Sequence, residues 1–228
     1  PTGKLAVTYP AKYNQYQKDA TREVYKKAGF SNIYMISEPS AAGLAIANND
    51  SFKNRSFENL LVCDFGGGTL DVTLMKTSIF DKSFTVSTKF IDGDQFLGGR
   101  DVDNALLQWT LKELKKNNYN TDDQDDISMI LQRCSISKES LSENNIKEYI
   151  ILPKQTKVGG KEISNSIQID ITTFNTICEP IFKKILLPIQ RLLAEQNISK
   201  NDIDGILLVG GSSKNIKVQQ IVKEFFFT

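Results

Sequence analysis

The sequence contains no histidine. That excludes Ser-His-Asp and Cys-His nucleophile systems and histidine metal sites, and leaves carboxylates, Lys and Thr for any chemistry. Cysteine is nearly as scarce. Cys63, Cys134 and Cys178 are odd in number, far apart and set among apolar neighbours, which reads as reduced packing residues in a reducing compartment rather than a disulfide framework or zinc site. Net charge is also lacking: 28 basic residues almost cancel 27 acidic ones, so no global field draws the chain to nucleic acid or membrane. No apolar run approaches the roughly 20 residues of a membrane span, and "PTGKLAVTYP" lacks the charged-then-apolar order of a signal peptide. The chain opens on a strand without a methionine and reads as an excised piece whose targeting segments are missing; a cytoplasmic setting is expected. Neither a G-x-x-x-x-G-K-[ST] nor a G-x-G-x-x-G pattern occurs, so a P-loop or Rossmann fingerprint is excluded.

What the chain does have is glycine in runs. "VCDFGGGTLDV" at 62–72 sets three glycines between two strand-like runs and brackets them with Asp64 and Asp71, and "GILLVGGSSK" at 205–214 repeats the theme. Glycine weakens a sheet unless a turn must be tight or something must approach the backbone closely. Consecutive amides in such a turn form a concave anion site. Paired carboxylates beside it suit Mg²⁺, which keeps most of its waters and is held through them. The bland alternative is a structural hairpin with exposed acidic turn formers.

Along the chain, "KLAVTYP" reads as a strand, "NQYQKDATREVYKKAG" as a helix with Tyr16, Ala20, Val24 and Ala28 at four-residue spacing, and "NIYMIS" as a second strand. "EPSAAGLAIANN" begins a helix with Pro39 in its first turn. A polar linker at 48–59 leads to "LLVCDF", "TLDVTLMKT" and "FTVSTKFI", a meander joined by glycine and Asp-Lys-Ser turns. A long helix follows "FLGGRDV" with Val102, Leu106 and Trp109 on one face, "NTDDQDD" breaks it, and a second helix covers about 124–142. Strands turning at Gly159-Gly160 come next. The stripe Phe174, Ile177, Ile181, Ile185, Ile189 and Leu192 predicts one long core helix, kinked or broken at Pro180 or Pro188. A strand, the second glycine turn and a helix from about 215 to 227 close the chain.

The ordered set "ISEPSAAGLAIANN", "VCDFGGGTLDVTLM", "FLGGRDVDNALL" and "GILLVGGSSKNIKVQQIVKEFF" resembles the nucleotide-binding domain of the heat-shock 70 chaperones, within the actin-like ATPase superfamily. The resemblance covers essentially the whole chain and corresponds to the later part of that domain. It implies an α/β fold: an actin-like ATPase (ribonuclease H-like) lobe with a mixed sheet and flanking helices, plus a small α+β subdomain. The division it implies is 1–52 for the end of the first lobe, 53–97 and 171–228 for the core of the second lobe, and 98–170 for an inserted subdomain.

By that resemblance Glu38 stands near the Mg²⁺ waters and the attacking water, and Asp64 and Asp71 are the two Mg²⁺-associated aspartates, acting through water. Gly66, Gly67, Gly68 and Thr69 form the second phosphate loop, with Thr69 near the γ-phosphate of ATP. Gly210, Gly211 and Ser212 match the adenosine loop, and Lys138, Ser142 and Lys214 complete the ATP/ADP contacts. Pro10 and Lys18 occupy the interlobe switch, where Pro10 also reads as a strand terminator. Glu38 also reads as a helix-start acid, and Lys138, Arg100 and Asp101 as a solvated helix face. Phosphoryl transfer depends on positioning, metal and electrostatics, so the missing histidine is no obstacle.

The chain also departs from the family pattern. The first phosphate hairpin and the catalytic-lysine lobe are absent, so negligible ATP turnover by the chain alone is expected. Ser135 replaces a ribose-contacting glutamate, Glu139 an arginine, Lys214 an arginine that lies flat on adenine, and Asn215-Ile216 an Ile-Pro pair; lysine stacks less well than a planar guanidinium. Altered base recognition follows. Implied partners are unfolded client peptides, bound by a domain outside this chain, with J-domain and nucleotide-exchange co-chaperones. Two other readings stay open: a non-hydrolysing pseudo-ATPase or co-chaperone-like scaffold, and a small-metabolite kinase of the same superfamily.

Overall fold

The computed structural model describes residues 3–46, 55–80, 83–116, 121–143, 147–151, 157–158, 161–162 and 166–227. They divide into two compact units. The first comprises Pro1–Asp64, Asp71–Gly93 and Pro188–Val209; the second comprises Phe65–Leu70, Asp94–Leu187 and Gly210–Thr228.

The first unit opens with β1 (Lys4–Tyr9), α1 (Gln15–Lys27) and β2 (Asn32–Ser37), and β1 pairs with β2 in parallel from Lys4 opposite Asn32 to Tyr9 opposite Ser37. Parallel pairing requires a crossover, which α1 supplies. Reciprocal capping starts that helix: the Gln17 amide donates to Asn14 Oδ1 at 2.9 Å, and the Asn14 amide to Gln17 Oε1 at 2.9 Å. The expected stripe does not go into a core, since Tyr16 is 82% and Val24 64% exposed. Its period is helical, but among the described residues no other element of this unit covers it.

After α2 (Glu38–Ile46) come β3 (Phe57–Phe65), β4 (Leu70–Phe80) and β5 (Ser83–Asp94), and β10 (Gly205–Val209) completes a sheet of order β10-β3-β4-β5. β10 runs parallel to β3, with Val209 opposite Asp64, so the sheet is mixed. On one face, Leu60 and Val62 of β3 and Met75 of β4 pack with Phe57, Ile46 and Ala42. Gly43 lets α2 settle on this face: a Cβ there would lie 2.9 Å from Met75 Sδ and 3.1 Å from Val86 Cγ1. Alternation along each strand carries the same face on to Asp64 and Asp71. Much of the expected linker, and Asp81 and Lys82 of the expected turn, lie outside the described residues.

In the second unit, α3 (Gly99–Lys116) and α4 (Gln124–Ser142) pack together, with β6 (Lys147–Ile151) paired antiparallel to β9 (Ser166–Asp170) against them. The Asp123 carboxylate caps α4, accepting from the amides of Asp125 and Asp126. β7 (Lys157–Val158) pairs with β8 (Lys161–Glu162) antiparallel, and the turn expected at Gly159-Gly160 lies outside the described residues. Trp109 is only half-buried; Leu106, at 0% exposure, and Val102 carry the inward face of α3.

The stripe at 174–192 forms two helices, α5 (Ile171–Lys183) and α6 (Leu186–Glu195). Pro180 is accommodated inside α5, and the chain breaks at Lys184, four residues before Pro188, where the proline ring would strike the carbonyl of residue 184. The buried side of α5 is Phe174, Cys178 and Phe182, one residue out of phase with the expected Ile177 and Ile181. Phe174 and Phe182 meet edge to face at 6.3 Å. The last helix, α7 (Ile216–Phe227), packs on α5. All three cysteines are free thiols, buried as expected.

Candidate functional site

In the first unit three carboxylates converge at one end of the sheet. Asp64 and Asp71 continue the face built by Val62 and Met75, and Glu38 begins the helix packed on that face. Burial raises the proton affinity of Glu38 first, and the charges of Asp64 and Asp71 raise it further. Burial and then Asp71 raise Asp64 in the same way. Asp71 is raised by burial and partly relieved by Lys12. Sequence reasoning missed Lys12, which sits 4.0 Å from Asp92 and is the cation acting on this carboxylate group. Its only sequence signal is a lone positive charge two residues after Pro10.

Half-buried acids that repel one another suit a hydrated divalent cation, and the donor set fits Mg²⁺. No group of three such side chains stands close enough to ligate an ion directly among the described residues. The repulsion has a consequence for stability. The folded chain holds these protons more tightly than the unfolded chain, so stability falls as pH rises from the ordinary aspartate value of 3.8 through the raised folded values, and is flat above them. Asp64→Asn should therefore raise the metal-free melting midpoint at pH 7, by about 1 kcal/mol of stability. That gain should vanish in acid, where the wild-type carboxyl is already neutral; an equal gain at both pH values would contradict the account.

Pro10 and Lys18 also belong to the first unit. The Pro10 carbonyl accepts from the Tyr13 amide at 3.0 Å, closing the turn after β1, and the Lys18 ammonium lies 4.8 Å from the Tyr9 ring centroid.

The second unit holds the glycine turn and a cavity. The Gly66 amide donates to Thr69 O at 3.0 Å, closing the turn. The first amides of α3 donate to its carbonyls, Gly99 N–H to Gly66 O at 3.0 Å and Arg100 N–H to Gly67 O at 2.8 Å. Ser212 Oγ also donates to Gly66 O, at 2.9 Å. The turn is thus gripped by its carbonyls. Among the described residues none accepts from the amides of Gly67, Gly68 or Thr69, and the space over Gly67 is open, an arrangement that fits an anion. Thr69 is exposed.

Three glycines serve the framework. Gly98 meets Gly68 backbone to backbone, Gly68 lies under the Arg100 guanidinium, and Gly210 has φ 86°, a left-handed value that favours glycine. Gly211, by contrast, faces open space.

A cavity of about 340 Å³ brings together Gly67, Lys138, Ser142, Gly211, Ser212 and Lys214 of the expected nucleotide residues; Gly66, Gly68, Gly210 and Ser135 do not line it. Its volume falls at the lower end of the roughly 300–1,000 Å³ of small-molecule sites. Lys138 is not on a solvated face: its ammonium lies 2.8 Å from Asp103 Oδ1 and donates to Gly99 O at 3.4 Å. Asp101 is not simply solvated either, since it accepts from the Gly98 amide at 2.8 Å. The Ser142 hydroxyl donates to Lys138 O at 2.8 Å and accepts from Asn215 Nδ2 at 3.3 Å. Asn215 Oδ1 caps α7 by accepting from the Lys217 amide at 2.8 Å. Glu143, which sequence reasoning passed over, lies 3.6 Å from the Lys214 ammonium.

A family profile described as Hsp70 protein matches residues 2–227. Similar curated proteins include a chaperone protein DnaK from Metamycoplasma hominis, 32% identical over 98% of this chain and 37% of its own length. A heat shock cognate HSP70 protein from Trypanosoma brucei brucei is 33% identical over 98% of this chain and 32% of its length. A mitochondrial-type heat shock protein 70 from Encephalitozoon hellem is 31% identical over 98% of this chain and 36% of its length. The chain spans about a third of these relatives (37, 32 and 36%).

Proposed function

This chain belongs to the Hsp70 family, and from that premise we propose that it binds a Mg²⁺–nucleoside polyphosphate, ATP or ADP in the family's usual case, as part of the ATPase domain of a molecular chaperone. The observation that carries the reading is the convergence of Glu38, Asp64 and Asp71, whose shared burial and mutual repulsion a divalent cation would relieve. Mg²⁺, when bound, neutralises charge on the phosphates and polarises them.

The chain's own residues do the holding. Asp64 and Asp71 accept hydrogen bonds from the metal's water shell, and Glu38 orients water at the same end of the sheet. The amides of Gly67, Gly68 and Thr69 donate to phosphate oxygens, while the carbonyls of Gly66 and Gly67 are already engaged by α3 and Ser212, so little of the turn must reorganise on binding. Lys12 offsets part of the negative charge that Asp71 brings to the carboxylate group. Pro10 and Lys18 transmit the nucleotide state between lobes, as the family's switch does. Client peptides and J-domain and nucleotide-exchange co-chaperones are the partners this role implies. Among the described residues no helix is long and apolar enough to cross a membrane. One relative is named as mitochondrial-type, so family membership leaves the compartment open; a cytoplasmic setting is part of the proposal.

Calorimetry of ADP binding with and without Mg²⁺ tests the reading. Binding should require Mg²⁺ and disappear in Asp64→Ala/Asp71→Ala, while that variant keeps a cooperative melt. Metal-independent binding, or binding unchanged in the double variant, would sink the metal-organising role of the pair.

A further inference from the structure

The glycine turn at 66–69 carries no charge of its own, yet a cation rests on it. A Cβ built at Gly68 would stand 3.0 Å from Arg100 Cζ and Nε and nearer still to Nη2, so the guanidinium lies directly on the turn. The Arg100 amide is also fixed there, donating to Gly67 O at 2.8 Å. Electrostatics within the chain does not explain the placement. Arg100 is the second residue of α3, where the helix dipole already gives positive potential and disfavours a cation. Among the described residues its side chain makes no ion pair or hydrogen bond, and the neighbouring Asp101 turns its Oδ2 to the Gly98 amide at 2.8 Å. The two lysines of the nearby cavity differ: Lys138 is answered by Asp103 at 2.8 Å and Lys214 by Glu143 at 3.6 Å. Arg100 is exposed, so no packing obliges it to lie over Gly68. A guanidinium without a counter-charge thus sits on a turn whose amides at Gly67, Gly68 and Thr69 have no acceptor among the described residues.

We propose that Arg100 is a phosphate-binding residue of this turn, its guanidinium supplying the positive charge for the phosphate oxygens that the amides of Gly67, Gly68 and Thr69 take; this rests on the nucleotide-binding reading above. Backbone amides are neutral donors: they orient a phosphate and bring no net charge, and a nucleoside diphosphate or triphosphate stays anionic after one Mg²⁺ has bound. Arginine supplies what is missing. Its planar fork of donors matches phosphate oxygens, its hydrogen bonds to them are charge-assisted, and it stays protonated throughout the working pH range. The bound anion also accounts for the position of the cation, because a phosphate facing both the guanidinium and the start of α3 offsets the repulsion between them.

Calorimetric titration with ADP and Mg²⁺ tests this on the wild type, Arg100→Gln and Arg100→Lys. The glutamine variant loses a hydrogen bond to a charged group, so its affinity should fall about tenfold or more. Arg100→Lys keeps the charge without the fork and should bind clearly tighter than the glutamine variant. Arg100 is exposed and its charge opposes the helix dipole, so neither variant should lower the melting midpoint, which separates a lost phosphate contact from a damaged turn. An Arg100→Gln affinity within about twofold of wild type, a lysine variant no better than the glutamine, or a loss matched by a fallen melting midpoint overturns the role of Arg100 and leaves the nucleotide-binding reading standing. Absence of Mg²⁺-dependent ADP binding in the wild type overturns both.

Discussion

Lys138→Met should lower the stability of the chain by about 3 kcal/mol in urea titration, because it strands a carboxylate that the fold has taken out of water. Asp103 is 9% exposed, and the Lys138 ammonium, 2.8 Å from its Oδ1, is the cation that answers it. Removing one member of such a pair costs far more than the pair contributes, since the other is left desolvated and uncompensated. The double variant Lys138→Met/Asp103→Leu should recover most of the loss, as an apolar pair of similar volume needs no solvation. The same cycle separates structure from binding. If Lys138 also touches a nucleotide, the double variant will melt normally and bind more weakly; if its work is confined to Asp103, affinity will return with stability. A loss below about 0.5 kcal/mol in the single variant would mean that Asp103 keeps its water.

The contrast between Lys138 and Asp64 shows what a sequence can reveal of such a site. Asp64 and Asp71 flank a three-glycine turn within eight residues, so their placement follows from strand alternation and hairpin geometry, both local rules. Glu38 was placed with them only by the family resemblance; its sequence neighbourhood alone reads as a helix-start acid, and the packing of α2 on this face of the sheet is what brings it to the same edge. The limits of α4 at 124–142 were legible from local signals, with an acidic cap and a helical period close together. The partner of Lys138 was not legible. Asp103 lies 35 positions away on another helix, and nothing in "RDVDNALL" marks its third acid or base as buried rather than solvated. Glu143 and Lys214 are likewise joined only by the packing of α4 near the second glycine turn. The proline-bearing stripe shows a different limit: the break at a proline could be anticipated, but the phase of the buried face on α5 is set by which neighbours it meets, and Cys178 took the central position expected of Ile177 and Ile181.

The glycines divide by the same test, and substitution can tell the two kinds apart. Gly98→Ala should destabilise the chain by about 2–3 kcal/mol, at the upper end of overpacking costs. A Cβ there would lie 2.5 Å from both N and Cα of Gly68 and 2.6 Å from its carbonyl carbon, and a backbone, unlike the end of a side chain, cannot swing aside. Relief requires the turn and the start of α3 to separate. That lengthens the bonds from Gly99 N–H to Gly66 O and from Arg100 N–H to Gly67 O, which hold the turn's carbonyls. Nucleotide affinity should therefore fall together with stability, and raising the ligand concentration should restore part of the melting midpoint by mass action. Gly67→Ala should behave in the opposite way. Nothing lies within 4 Å of a Cβ built there, so the fold should tolerate it to within about 0.5 kcal/mol, while the new methyl stands over the amides assigned to phosphate and weakens Mg²⁺–nucleotide binding. Two alanines, one just before α3 and one in the turn that α3 grips, would then separate a glycine that lets backbone meet backbone from a glycine that lets a ligand meet backbone. Equal stability losses in both would show instead that the whole run is framework, and the anion-binding role of the turn would fall.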